Sequence, residues 1–228
     1  MLPASEGVVR YSSLTEQIAH SVKQAIFRGE LQPGDRLVEQ SIARAHGVGQ
    51  NAVREALIAL AHQGFVKRVA NRATYVSQLN LEEAQKLSVV RAALEGAACE
   101  IVSRRYAAGE VELAQLDHHL AGMQDAAERL DRVAFYDGDI QFHRELWRLT
   151  GNHYLEQMLE QTVAPLFAFF IIQYFRKGDR LESLCEAIPA HRQLVDDIRS
   201  GSPSRAHASL NTLIDVGVKH QQGLVALP

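Results

Sequence analysis

The sequence predicts a mostly α protein in two parts: three short helices closed by a two-stranded ribbon, then an all-α antiparallel bundle of about six helices. Three observations carry this. Apolar residues recur at three and four over most of the chain, which is helical periodicity. β-type residues gather in one place, with Phe65, Val66, Val69, Tyr75 and Val76 flanking "ANRA". Charge also divides along the chain, with nine Lys/Arg against six acids up to residue 78 (net +3) and 15 against 21 beyond it (net -6). At 228 residues and 46% hydrophobic content, two domains are expected, 1–78 and 79–228. A total charge of -3 argues against a chain that binds polyanions along its whole length. A basic first third joined to an acidic remainder suits a nucleic-acid module fused to a sensing or dimerising one, because phosphate neutralisation supplies most non-specific affinity.

From Ser13 to Arg28, Leu14, Ile18, Val22, Ala25 and Ile26 mark the first helix. Pro33-Gly34-Asp35 turns the chain, and Leu37 begins a short extended stretch. Residues 39–46 give a second short helix, closed by Gly47, whose missing Cβ suits the left-handed backbone of a tight interhelical turn. A third runs from about Gln50 to Gln63 and buries Val53, Ala56, Leu57 and Leu60. Followed by the ribbon, this order is that of a winged helix-turn-helix.

From Leu81 onward the pattern is helical, with joints expected at Gly109, Leu130-Asp131, Gly151-Asn152, Lys177-Gly178-Asp179 and Ser200-Gly201-Ser202-Pro203. Ser202-Pro203 is a start signal, a capping hydroxyl followed by a proline at the first helical position. The apolar run "VAPLFAFFII" (163–172) suits a buried core helix, and no stretch approaches eighteen uninterrupted apolar residues. Cys99 and Cys185 have no metal-type spacing and are read as free thiols. The first residues, "MLPASEGVVRYSSL", lack a basic start followed by an apolar run, and a cytoplasmic protein with no membrane partner is expected.

The segments "IFRGELQPGDRLVEQSIARAHGVGQNAVREALIALAHQGFVKRVANRATYV", "VVRAALEGAACEIV", "DGDIQFHRELWRLTGN" and "AHRQLVDDIRSG" resemble, in order and approximate spacing, the GntR superfamily of bacterial transcription regulators. The likeness is to its FadR-like branch with an FCD-type ligand-binding domain, and it spans nearly the whole chain. It implies a homodimer that binds a palindromic double-stranded DNA operator, in the manner of a repressor, and answers to a small carboxylate effector.

In a winged helix-turn-helix the start of the recognition helix reaches base edges while neighbouring groups hold phosphates. Gly49, Gln50, Asn51 and Arg54 would face the bases, while Arg36, Arg44, Arg54, Lys67, Arg68 and Arg72 are there to hold the phosphate backbone, Arg72 reaching a phosphate or the minor groove or else standing as a solvated loop arginine. Similar proteins usually read Ser-Arg-Thr-Pro where this chain has Gly49-Gln50-Asn51-Ala52. An arginine there would grip guanine, whereas Gln and Asn match the N6/N7 edge of adenine, so a shifted operator preference is expected. The alternative is that Gln50 and Asn51 merely cap the helix. At the wing, Ala73 follows Asn71-Arg72 where a glycine is usual, and its Cβ disfavours a positive φ at the tip.

Asp139 and His143 stand four apart and project from one helix face, a workable pair of first-row metal ligands. An ordinary Asp-His hydrogen bond is the alternative. The resemblance adds His191 as a third ligand and places the family's fourth at Leu213, which offers no donor atom, so a zinc- or nickel-type divalent metal would keep open positions for water or a substrate carboxylate. His207, earlier on the same helix, is expected to face elsewhere. Arg91 occupies the place where similar proteins clamp an acidic effector, and its partner is either a metabolite carboxylate or Glu95, one turn on. Effector binding is thus assigned to Arg91, Asp139, His143 and His191. Phe135, Phe142, Trp147, Phe167, Phe170 and Tyr174 are read as core and pocket wall. Two other readings stay open: a metal-dependent helical enzyme acting on a small organic acid, and a regulator-derived protein that has lost specific DNA recognition.

Overall fold

A computed structural model describes residues 13–69, 73–177 and 182–225, with side chains described except at 174, 176, 177, 182–186 and 217–225. Contacts divide the chain into two units that meet between Val76 and Ser77.

The first unit holds α1 (Leu14–Phe27), β1 (Arg36–Leu37), α2 (Glu39–His46), α3 (Gln50–His62), β2 (Val66–Val69) and β3 (Ala73–Val76). A capping box starts α1: Ser13 Oγ accepts from the Glu16 amide while Glu16 accepts from the Ser13 amide. Helix α1 packs against α3, and Ile18, Val22 and Ile26 of the one and Val53, Leu57 and Leu60 of the other are all buried. Each such side chain contributes about 1.5–3 kcal/mol through removal from water. Phe27 and Phe65 close the base edge to face, with centroids 5.6 Å apart. Gly47 ends α2 at φ 65°, the left-handed backbone expected of it.

The strands form one antiparallel sheet in the order β1-β3-β2. Val66 pairs with Val76 and Arg68 with Thr74 across β2 and β3, while Arg36 pairs with Tyr75 and Leu37 with Thr74 across β1 and β3. Among the described residues the sheet thus has three strands where two were expected. The extended stretch at Leu37 is its third, and two residues are too few to show an alternating pattern.

The second unit is all helix in its described residues: α4 (Leu81–Ala107), α5 (Ala114–Glu128), α6 (Arg132–Leu149), α7 (His153–Thr162), α8 (Ala164–Lys177), α9 (Glu182–Arg199) and α10 (Pro203–Val225). At 27 residues, α4 is about 40 Å long and packs against α6, α7, α8, α9 and α10. Asn80 and Glu83 begin it with a second capping box. Among the described residues, seven helices stand where about six were expected. The extra joint is at Val163, because Pro165 has no N–H to donate to the preceding turn and is tolerated only in the first turn of α8. The apolar run His153–Gln173, long enough by composition to cross a membrane, is broken there and half buried against the bundle.

Candidate functional site

Four helices bring the predicted sensor residues together. Arg91 comes from α4, Asp139 and His143 from α6, and His191 from α9, with Phe167 of α8 as a wall. Potential ligand atoms of Asp139, His143 and His191 lie within 4.8 Å of one another. His191 Nε2 is 2.9 Å and His143 Nε2 is 3.8 Å from the same oxygen, Asp139 Oδ1. Ligands bound tetrahedrally at about 2.0–2.1 Å are separated by roughly 3.4 Å, so these spacings bracket what a small divalent ion requires. Both imidazoles are buried and Asp139 nearly so.

Donor chemistry supports the fit. His191 Nδ1 lies 2.8 Å from the Ala187 carbonyl and donates to it, which turns the ring's other nitrogen toward the centre. That Nε2 has no aligned hydrogen bond although Asp139 Oδ1 is only 2.9 Å away. The ring nitrogen and the carboxylate oxygen thus stand close together with no aligned hydrogen bond between them, an arrangement that a cation between them would satisfy. Phe142 holds the His191 ring edge-on, with centroids 5.0 Å apart.

Glu95 is the hub of these contacts and the protein partner of Arg91. Its Oε2 accepts from Arg91 Nε at 2.6 Å, and its Oε1 accepts from Trp147 Nε1 at 2.9 Å. His143 Nδ1 lies 2.8 Å from the same Oε1, off the direction of the ring N–H. Burial acts to raise the Glu95 carboxyl, but the charge of Arg91, the neighbouring His143 ring and the Arg91 hydrogen bond hold it far below the usual carboxylate range. Asp139 is likewise pulled down against its burial, first by His191 at 2.9 Å and then by the neighbouring His143 and Arg91. Arg91 thus has a protein partner, and its Nη2 also donates to His143 Nε2 at 3.1 Å. A glutamate amid small residues, one turn after an arginine in "RAALEGAAC", is the signal the sequence carries.

Leu213 is buried and contributes no ligand atom, and Asn211 is exposed. His207 faces α4, with Nδ1 2.9 Å from Glu100 Oε1 and its ring tip against Gly96. Cys99 is buried beside Glu95, and burial, then that negative charge, push its thiol upward. The side chains of Cys185 and Tyr174 lie outside those described.

In the first unit, Gly49 is the N-cap of α3 and offers no side chain, so neither Gln50 nor Asn51 is the cap. Both are exposed on the first turn. Arg54, one turn on, reaches back to Glu39 of α2, with Nη2 3.1 Å and Nε 3.3 Å from Oε2. It ties the two helices together while remaining half exposed. Arg36 on β1 and Arg44 on α2 are exposed, as are Lys67 and Arg68 on β2, whereas Arg72 lies outside the described residues.

Comparison with known proteins agrees with this division. Residues 14–76 match the model of bacterial regulatory proteins of the gntR family, and residues 86–216 match the FCD domain. The chain is 25% identical over 191 residues to the uncharacterized HTH-type transcriptional regulator YdhC of Bacillus subtilis (strain 168), covering 83% of each protein. It is 29% identical over 138 residues to the HTH-type transcriptional repressor RspR of Escherichia coli (strain K12), covering 60% of this chain and 59% of that one. Among solved structures, E. coli McbR/YncC superposes with a TM-score of 0.69 at 21% identity, covering 93% of this chain and 99% of that one. A GntR regulator from Rhodococcus sp. RHA1 gives 0.66 at 21% identity, covering 94% and 99%.

Proposed function

The chain belongs to the GntR family with an FCD domain and is a transcriptional regulator, and on that premise we propose that it is a cytoplasmic homodimer whose bundle binds a small carboxylate through a divalent metal and thereby controls a palindromic operator. The convergence of Asp139, His143 and His191 within 4.8 Å carries the effector half of this reading. These three residues would hold a zinc- or nickel-type ion, which supplies a Lewis-acidic point of attachment for a carboxylate. With Leu213 in place of a fourth donor, more of the ion's coordination is left to water or ligand. The enzyme reading loses its ground, since the family and the named relatives are transcriptional regulators.

The domain division 1–78 and 79–228 assigns reading to the first part and sensing and pairing to the second. Gln50 and Asn51 are proposed to read bases, Gly49 lets the backbone approach, and Arg36, Arg44 and Arg72 hold phosphates. Arg54 supports the reader from the Glu39 ion pair. Exposure of Gln50 and Asn51 beyond an uncapped turn favours a working reader over one that has lost recognition. A repressor role is suggested by RspR, whose name carries it. Effector binding must favour one arrangement of the paired readers over the other, since a ligand shifts an equilibrium only by its differential affinity.

The test combines two measurements on the full chain. Native mass spectrometry should show a dimer with two bound metal ions. Fluorescence anisotropy with fragments of the gene's own upstream region should show a specific, salt-sensitive complex relieved by a small carboxylate. A monomer that retains no metal and distinguishes no fragment would falsify the proposal.

A further inference from the structure

A cation entering between Asp139, His143 and His191 meets one occupant already in place. His143 Nε2 is the ring nitrogen on the Asp139 side, 3.8 Å from Oδ1, and so is the one a metal shared by the three residues needs. That nitrogen already accepts a hydrogen bond from Arg91 Nη2 at 3.1 Å. One lone pair serves one partner at a time. We infer that Arg91 caps the His143 lone pair until a divalent cation takes it, and that the displaced Nη2 then becomes the donor for a ligand carboxylate. This rests on the metal reading of the site.

The rest of the arginine is anchored in a way that permits the exchange. Its Nε stays on Glu95 at 2.6 Å, and its guanidinium lies over Phe167, 4.4 Å from the ring centroid. Loss of the His143 contact therefore frees one edge of a planar fork without unseating the side chain. Charge runs the same way. The one guanidinium of Arg91 stands among the two carboxylates of Glu95 and Asp139, which together leave one surplus negative charge. A carboxylate approaching the metal-free centre meets an engaged arginine and a negative Asp139. A divalent cation reverses the balance to one surplus positive charge and releases an N–H beside it. Binding is then ordered, metal before carboxylate, and each strengthens the other by the same factor.

Zinc calorimetry on the chelator-stripped full chain tests this, with wild type beside Arg91→Lys. Lysine keeps a cation for Glu95 at the next turn but lacks the fork's second nitrogen. Removal of a charge-assisted hydrogen bond that competes with the ion should tighten zinc binding by roughly tenfold in Arg91→Lys. Acetate, as the smallest carboxylate probe, should bind the zinc-loaded wild type and bind zinc-loaded Arg91→Lys roughly tenfold more weakly. Zinc affinity unchanged or lowered in the variant overturns the competition. Equal acetate binding by the two loaded proteins, or none by the wild type, overturns the donor role. Should Arg91→Lys fail to fold, nitrogen NMR of the wild type decides: coupling across the Arg91–His143 hydrogen bond should be present without zinc and absent with it, and its survival beside bound zinc overturns the inference. Failure of the wild type to take up zinc at all removes the metal reading beneath it, so the two failures are told apart.

Discussion

The indole N–H of Trp147 donates to Glu95 Oε1 at 2.9 Å, and Glu95 in turn holds Arg91 at 2.6 Å. Trp147 is the one tryptophan in the chain, so its emission reports on the centre. Zinc or nickel added to metal-free protein should change that emission. His191→Ala should remove the response together with metal uptake, because it deletes the bare Nε2 beside Asp139. His207→Ala, altering a residue that faces Glu100, should leave both intact. Fluorescence titration alongside metal analysis checks each outcome.

At the DNA end, Gln50→Ala and Arg44→Ala should differ in kind. Loss of a bidentate base contact costs about 1–3 kcal/mol and relaxes preference at one position. Loss of a phosphate contact weakens all sequences alike and lowers the salt slope by about one. Binding to a randomised operator library at two salt concentrations separates the two. A uniform loss from Gln50→Ala would return that residue to a structural role.

Leu130 is the described non-glycine residue with positive φ, at 59°, in the turn between α5 and α6. The conformation is fixed by the Leu130 amide on the Ala127 carbonyl at 3.1 Å and the Asp131 amide on the Ala126 carbonyl at 2.8 Å. Its side chain is 60% exposed and contributes little packing. A left-handed leucine costs about 1–2 kcal/mol, and glycine returns about 0.5–1 kcal/mol of that as unfolded-state entropy. Leu130→Gly should therefore stabilise the protein slightly in urea unfolding, by about 0.5–1 kcal/mol.

Asp197 joins α9 to α10: it accepts from Gln193 Nε2 at 3.0 Å and from Ser209 Oγ, and pairs with Arg205. Burial acts to raise its carboxyl, but the Ser209 and Gln193 hydrogen bonds and then Arg205 hold it below the ordinary range. A depressed carboxyl binds its proton more readily in the unfolded chain, so its contribution is complete above the unfolded value, about 3.9, and fades as pH falls through the folded one. Asp197→Asn should lower stability near neutrality and flatten the acid limb of a stability-against-pH curve. Parallel curves for the two proteins would contradict this.

Much of the fold is legible in the sequence because its signals are local. Gly47, the Ser202-Pro203 start and the three-and-four spacing of Ile18, Val22 and Ile26 each act within a turn or two. The third strand is hidden because β1 is two residues long and becomes a strand only through pairing with Tyr75 and Thr74, far along the chain. The joint at Val163 is hidden because an apolar run reads as one helix until Pro165 is weighed. At the centre, ligand types and spacing point to Asp139 and His143, and family likeness supplies His191. Glu95 was seen only as a neighbour of Arg91, since its contacts with His143 and Trp147 span 48 and 52 residues and no local pattern announces them.

Gly49 leaves the start of α3 without a side-chain acceptor for its first amides. Helices α1 and α4 each close their first turn with a reciprocal pair of side-chain bonds, whereas the first turn of α3 is left to its backbone and to water. The start of α3 is therefore the end at which that helix frays most readily, and a side chain able to cap it, as in Gly49→Ser, would stiffen it.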